Sequence, residues 1–251
     1  MVTTTTTDTM RLTERDEQIL RQHFGRFRIT TIEALQQVYW SDCTTDAVKK
    51  WSQRMRAGQY LHDGDLGNGR QVFYPTHKTV TLSGLPRRIA RPPKGYDLAR
   101  LYGVLSFCCL GPVKHEKIAS TEFEQRFKIL CEKSLDQSLY YADTDFQDAH
   151  FPPQKRIGYL LVDAGARVRQ VLARFGHVIS LRLQNSLWHQ WIERGRFIVT
   201  VVTADPDKQR RLREALAAVH QPVPFRVEVR LDLRDVVPLR IAHAPQRQDN
   251  Q

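Results

Sequence analysis

The chain is short of cysteine, of acidic residues and of long apolar runs. Its four cysteines, Cys43, Cys108, Cys109 and Cys131, form no CxxC pair, so the usual signature of a zinc ribbon or a redox motif is missing. Cys108-Cys109 lies inside the apolar run Val104 to Leu110, where cysteine serves as a small buried hydrophobe. No apolar run approaches the length of a membrane-spanning helix. The opening Met1-Val2-Thr3 leads into threonines and not into a basic and then apolar leader; the expectation is a reduced, cytoplasmic chain with a loose tail over 1–10. HExxH, a P-loop, GxGxxG and GxSxG are all missing, and the nine histidines are scattered, so no metal and no cofactor is expected. Asp and Glu number 27 against 38 Lys and Arg, a formal charge of +11. That imbalance favours a polyanionic partner, nucleic acid before a membrane surface.

What is present begins at Leu12. Thr13 reads as an N-cap with acidic residues in the first turn, and Leu12, Ile19, Leu20 and Phe24 recur near helical period before Gly25 ends the pattern. A second helix is expected from Thr31 to Val38, with Ile32, Leu35 and Val38 inward. After the turn Ser41-Asp42-Cys43-Thr44, a third runs from Thr45 to Arg56, burying Ala47, Val48, Trp51 and Met55. Its other face carries Lys49, Lys50, Gln53, Arg54 and Arg56. Gly58 stops it, and two extended segments, Gln59 to His62 and Gln71 to Pro75, flank a glycine-rich turn ending in Arg70. The order helix, helix, basic helix, glycine-tipped hairpin over 11–85 is that of a winged helix-turn-helix. In such a unit the third helix enters the major groove and the wing lies along the backbone. Thr45, Lys49, Lys50, Gln53, Arg54 and Arg56 are therefore candidate DNA contacts, with Arg70 at a phosphate. The alternative is a generic three-helix core whose charges form a solvated face.

The stretch 86–95 is rich in proline and arginine, lacks apolar period and reads as a basic linker. Beyond it, 96–243 reads as an α/β domain. Tyr96 to Leu110 is a helix apolar almost all round, suited to a core or a dimer interface. Ile118 to Cys131 opens as helix and ends ambiguously between helix and strand. Leu139 to Asp143 and Thr144 to Phe151 are short extended pieces, and Arg156 to Asp163 is a buried strand. Helices are expected around Val168 to Phe175, Leu181 to Glu193 and Lys208 to His220. Phe197 to Thr203, dominated by β-branched residues, and Phe225 to Leu231 are strands. A loose tail is expected over 244–251.

At this level the chain resembles the replication-relaxation family of plasmid and mobile-element proteins. The matching pieces are Leu12-Thr13-Glu14-Arg15-Asp16, Tyr74-Pro75-Thr76 to Gly84, Gln147-Asp148-Ala149, Leu161-Val162-Asp163-Ala164-Gly165, and Ile198 to Thr203 before a basic helix. The resemblance implies a winged helix joined to a degenerate restriction-endonuclease-like domain, working in the maintenance, transfer or gene control of a plasmid or an integrative and conjugative element. In that endonuclease pattern two carboxylates hold magnesium and a lysine assists the attacking water. Asp148 and Asp163 match the carboxylates, but Gly165 stands where the lysine would be, and Gln147 replaces the expected proline. Arg167 is a poor substitute for an ammonium that must share a proton. The plainer reading makes Asp163 the cap of a strand-to-helix turn and Asp148 a loop stabiliser, with no enzymatic activity.

The reading that results is a sequence-specific transcriptional regulator of a mobile genetic element. It would bind double-stranded DNA as a homodimer with half-sites about 34 Å apart. Its second domain would dimerise or bind a transcription or transfer-complex protein, with no membrane partner. The alternatives are an accessory protein of plasmid replication or conjugative transfer and, from a different class, a magnesium-dependent nuclease using Asp148 and Asp163.

Overall fold

The computed structural model describes residues 10–130, 139–143 and 156–237. The chain is mixed α/β, with a two-stranded hairpin and a five-stranded mixed sheet. The first half opens on a reciprocal cap. The Thr13 hydroxyl accepts from the Asp16 amide, and the Asp16 carboxylate accepts from the Thr13 amide. From this cap run α1 (Glu14–Gln18), a π turn (Ile19–His23) and α2 (Phe24–Phe27) as one continuous rod. The wider turn brings Ile19, Leu20 and His23 inward together. Ile19 and Leu20 pack with Phe24, with Leu35 of α3 (Ile32–Tyr39) and with Val48, Trp51 and Met55 of α4 (Thr45–Ala57), while His23 meets the rings of Phe24, Phe27 and Tyr39. Strands β1 (Leu61–Gly67) and β2 (Arg70–Pro75) form the hairpin. Its loop is Asn68-Gly69, both at positive φ, the two-residue turn whose twist matches paired strands. Thr30 bonds Phe73 in both directions, adding a one-residue third strand.

The sheet of the second half runs β3 (Glu116–Lys117), β4 (Tyr140–Asp143), β5 (Arg156–Val162), β6 (Phe197–Thr203), β7 (Phe225–Val229). Pairing is antiparallel from β3 to β5 and parallel from β5 to β7. Both parallel crossovers step the same way along the sheet, so right-handedness puts their helices on one face. These are α8 (Val168–Leu183), α9 (Ser186–Glu193) and α10 (Pro206–Ala217), packed on Tyr159, Phe197, Val199 and Val201. The opposite face of the sheet takes α6 (Gly95–Leu105), which continues as a π turn through Leu110 and packs on Leu160, Val162, Ile198 and Val202. Every residue of β6 is buried, as the near-continuous run of β-branched residues demands of a strand covered on both faces. At the centre of the helical face, the buried Arg182 guanidinium lies 4.4 to 5.3 Å from the ring centres of Tyr140, Tyr159, Trp188 and Phe197 and donates to the Val178 carbonyl and the Tyr140 hydroxyl.

Several boundaries differ from the sequence expectation. Helix α8 runs without a break to Leu183, and Asn185 then caps α9 by accepting from Leu187 and Trp188. Thr76 caps a further helix, α5 (His77–Leu82), where no helix was expected. The stretch 86–95 is not a free linker: Arg87–Ala90 winds into a 3₁₀ turn that buries Ile89 and Ala90 against Val80. Ile118 to Leu130 resolves into α7 (Ser120–Arg126) and a 3₁₀ turn (Lys128–Leu130). Cys108 and Cys109 are buried; burial pushes the Cys108 thiol up to about 12 and that of Cys109 higher still, so both stay protonated. Cys131, Asp148 and the extended piece expected over 144–151 lie outside the described residues.

One close approach inside the sheet is testable. The Tyr141 ring lies flat over Gly158 to reach the Thr200 hydroxyl at 2.6 Å, and a Cβ on residue 158 would sit 2.0 Å from that ring. We expect Gly158→Ala to cost about 1–3 kcal/mol, read as a lower urea midpoint at unchanged m-value.

Candidate nucleic-acid interface

Helix α4 buries Val48, Trp51, Ser52 and Met55 and leaves Lys49, Lys50, Gln53, Arg54 and Arg56 exposed. Its entry is fixed from α3. Gln36 accepts from the Thr45 hydroxyl at 2.9 Å and donates to the Cys43 carbonyl at 3.1 Å, so Thr45 holds the turn between the helices. Lys49 reaches Asp46 one turn back at 3.5 Å, an exposed pair worth little. Lys50 and Gln53 have no polar partner among the described residues. Arg56 pairs with Asp63 of β1 at 3.2 Å, tying helix to hairpin.

Besides Thr45 and Arg56, two further candidate contacts are committed elsewhere. Arg54 donates to both oxygens of the buried Asp16 carboxylate, at 2.6 and 2.7 Å, and the Trp51 indole donates to the same carboxylate at 2.7 Å. A carboxylate out of water needs such partners, and Arg54 is the cation that neutralises it. Arg70 turns away from the surface. Its guanidinium donates to the Tyr102 hydroxyl and, at 3.0 Å, to the Asp232 carbonyl. Tyr102 and Ser106 in turn donate to the Asp232 carboxylate at 2.6 and 2.8 Å. At the hairpin tip Asn68 donates to Asp235 at 2.6 Å, and Gly67 passes so near the Asp235 carbonyl that a Cβ would sit 2.7 Å from it. The expectation that Arg70 meets a phosphate therefore gives way: the hairpin tip docks on the second half of the chain. What α4 leaves available is Lys49, Lys50 and Gln53.

The Asp163 site shows what the sequence concealed. The residue ends β5 beside β6, at the C-terminal edge of parallel strands where α/β sheets commonly place ligands. Its carboxylate is almost fully buried and accepts from the Ala166 amide at 2.9 Å and the Thr203 hydroxyl at 3.0 Å. The ammonium of Lys208 stands 2.5 Å away. Lys208 comes from the first turn of α10, which Asp205 caps. A lysine thus meets Asp163 from another element, 45 residues on by the numbering, and not from two positions along the strand, where Gly165 stands. Asp-Pro-Asp-Lys marks a helix start, but no local spacing ties it to Asp163. The three donors occupy Asp163 as the cap of the strand-to-helix turn. Among the described residues no group of three or more His, Cys, Asp or Glu is placed to hold a metal.

Two outcomes follow. Burial alone would raise the Asp16 carboxyl, but the bonds from Thr13, Trp51 and Arg54 outweigh it and hold the group below its ordinary value of 3.8. Its stabilisation is complete above pH 3.8 and is lost as pH falls through the lowered folded-state value. Asp16→Asn should accordingly flatten the acid limb of a stability–pH curve followed by tryptophan fluorescence. Asp163→Ala strands the Lys208 ammonium in a nearly closed site and should cost about 3–5 kcal/mol in chemical denaturation. Comparison with protein-family models, with curated proteins and with solved structures finds no match.

Proposed function

We propose that the chain is a sequence-specific DNA-binding protein that regulates transcription on a mobile genetic element, reading duplex DNA with the exposed face of α4. The observation that carries the reading is the row Lys49, Lys50 and Gln53. The other cations of this helix, Arg54 and Arg56, are bound to carboxylates of the same unit, whereas these side chains are exposed and, among the described residues, the one ion pair they make is Lys49 with Asp46. Their chemistry suits a base edge: an amide pairs with the two hydrogen-bonding atoms of adenine, and an ammonium reaches guanine or phosphate. A 13-residue helix on a rigid partner helix is the element that enters a major groove.

The arrangement around α4 supports a winged helix-turn-helix: α3 packed on α4, then the hairpin joined to Thr30 by the one-residue third strand. The wing here would brace the second half of the chain instead of the DNA backbone. The succession α6, β3, α7, β4, β5, α8, α9, β6, a mixed sheet with helices on both faces, is compatible with a degenerate endonuclease-like unit serving dimerisation or partner binding. The mobile-element setting rests on the resemblance carried by Leu12 to Asp16, Leu161 to Gly165 and Ile198 to Thr203.

Selection of bound duplexes from a random library, followed by titration of the enriched site, tests the proposal. Lys50→Ala and Gln53→Ala should each weaken the selected site by about 1–3 kcal/mol, and Lys50→Ala should also lower the salt slope if it meets phosphate. Arg70→Ala should lower Tm and leave DNA affinity within about twofold, because its partners are Tyr102 and Asp232. Wild-type affinity in both α4 variants, or no enriched sequence at all, overturns the reading.

A further inference from the structure

We propose that the cleft between the two halves of the chain is a binding site for a small phosphate-bearing ligand, with Arg28 as its central cation. None of the candidate DNA contacts lines it, so this site is separate from the α4 face.

The cleft holds about 1230 Å³, ample for a nucleotide-sized ligand with water. Six cations line it: Arg21, Arg26, Arg28, Arg88, Arg100 and Lys117, drawn from the first helix, the 3₁₀ turn, α6 and β3. Among the described residues three carboxylates lie beside these cations. Glu122 takes Arg26 at 2.5 Å, Glu124 stands in the wall, and Asp97 is shared between Arg28 at 3.6 Å and Arg100 at 3.2 Å.

Arg28 is the informative residue. It ends α2 in the left-handed region, at φ 61°, a position that glycine or asparagine fills at least cost. Its own contacts do not explain why an arginine stands there. The Asp97 contact is long, its bond to the Arg88 carbonyl is 3.4 Å, and its buried Nε has no hydrogen-bond partner. Burial pushes the guanidinium below its ordinary pKa; Asp97 opposes this, and the charges of Arg100 and Arg88 add to it. An anion between these groups would relieve both the burial and the repulsion. Planar guanidinium forks match the oxygens of phosphate. Phe27 is the lone aromatic side chain among the lining residues, which gives no stacking platform for a run of bases and favours a small ligand over a single strand.

The test is calorimetric titration of the full chain, without magnesium, using inorganic triphosphate and a nucleoside triphosphate as probes at low and raised salt. We expect one-to-one binding that weakens with salt. Arg28→Asn suits the left-handed backbone, so it should hold or raise Tm while weakening binding at least tenfold. Lys50→Ala should bind as wild type does. Equal affinity for the two probes supports an inorganic source, and tighter nucleotide binding supports a nucleotide whose base reaches Phe27. No binding at millimolar probe, an Arg28→Asn variant that binds normally, or loss of binding in Lys50→Ala overturns the proposal. So does an Arg28→Asn effect on duplex DNA alone, which would make the cleft a track for the DNA backbone. Because the probes contain no DNA, failure here is distinct from failure of the α4 reading.

Discussion

The rest of the molecule depends on how Arg70 is neutralised. A cation at the base of a hairpin tip ordinarily points to water. Here it is drawn into a chain of hydrogen bonds that passes through Tyr102 of α6 to the Asp232 carboxylate, with Ser106 as a second donor. Such a chain is worth keeping only if every member is bonded, because a half-satisfied buried network costs more than it returns. It therefore fastens three parts together: the hairpin of the first half, the apolar helix under the sheet, and the turn that follows β7. The core confirms the joint, since Leu66 and Val72 of the hairpin share one apolar cluster with Leu101, Leu105, Ile198 and Leu233.

This joint decides what the surface can do. With its tip bonded to Asp232 and Asp235, the hairpin is not free to follow a phosphate backbone, and in the proposed reading recognition would fall on α4 alone. The same logic removes Arg54, whose charge is spent on Asp16. Among the described residues each buried carboxylate meets at least one basic side chain: Asp16 meets Arg54, Asp143 meets Arg156 and Arg226, and Asp163 meets Lys208. Net charge is silent on placement: Lys49 and Lys50 stand on the exposed face of α4, and six cations line the cleft around Arg28.

Local pattern was legible wherever local forces decide. The caps at Thr13 and Asp205 and the strand β6 follow from short-range chemistry that the sequence displays, whereas the glycine-rich turn expected over 64–70 narrows to Asn68-Gly69 because β1 runs on to Gly67. The α4 face was legible for the same reason, since helical period alone separates Lys50 and Gln53 from Trp51 and Met55. Partners were not legible. Periodicity says that Arg54 is on the outside of its helix but cannot say that Asp16, 38 residues earlier, waits beneath it. Glycine-rich chemistry says that Arg70 follows a tight turn, not that Tyr102 lies opposite. The stretch 86–95 misled because proline and arginine suggest solvent, whereas Ile89 and Ala90 find cover on a helix that no local signal announced.

The Asp163 site carries the same lesson into chemistry. A motif read along the strand asks for a lysine two residues on and finds glycine. The fold places a lysine against the carboxylate all the same, from the next crossover helix, because the C-terminal ends of parallel strands gather the helix starts that follow them. An ammonium so placed has two incompatible uses. As a counter-charge it must stay on Asp163, and its bond to the Ala166 carbonyl holds it there. To assist a reaction it would have to face a substrate, and the carboxylate would have to face a metal; yet Asp163 already accepts from an amide and a hydroxyl as well. The position of the lysine in the sequence therefore says little, and the three donors already on the carboxylate are what hold this corner of the sheet together.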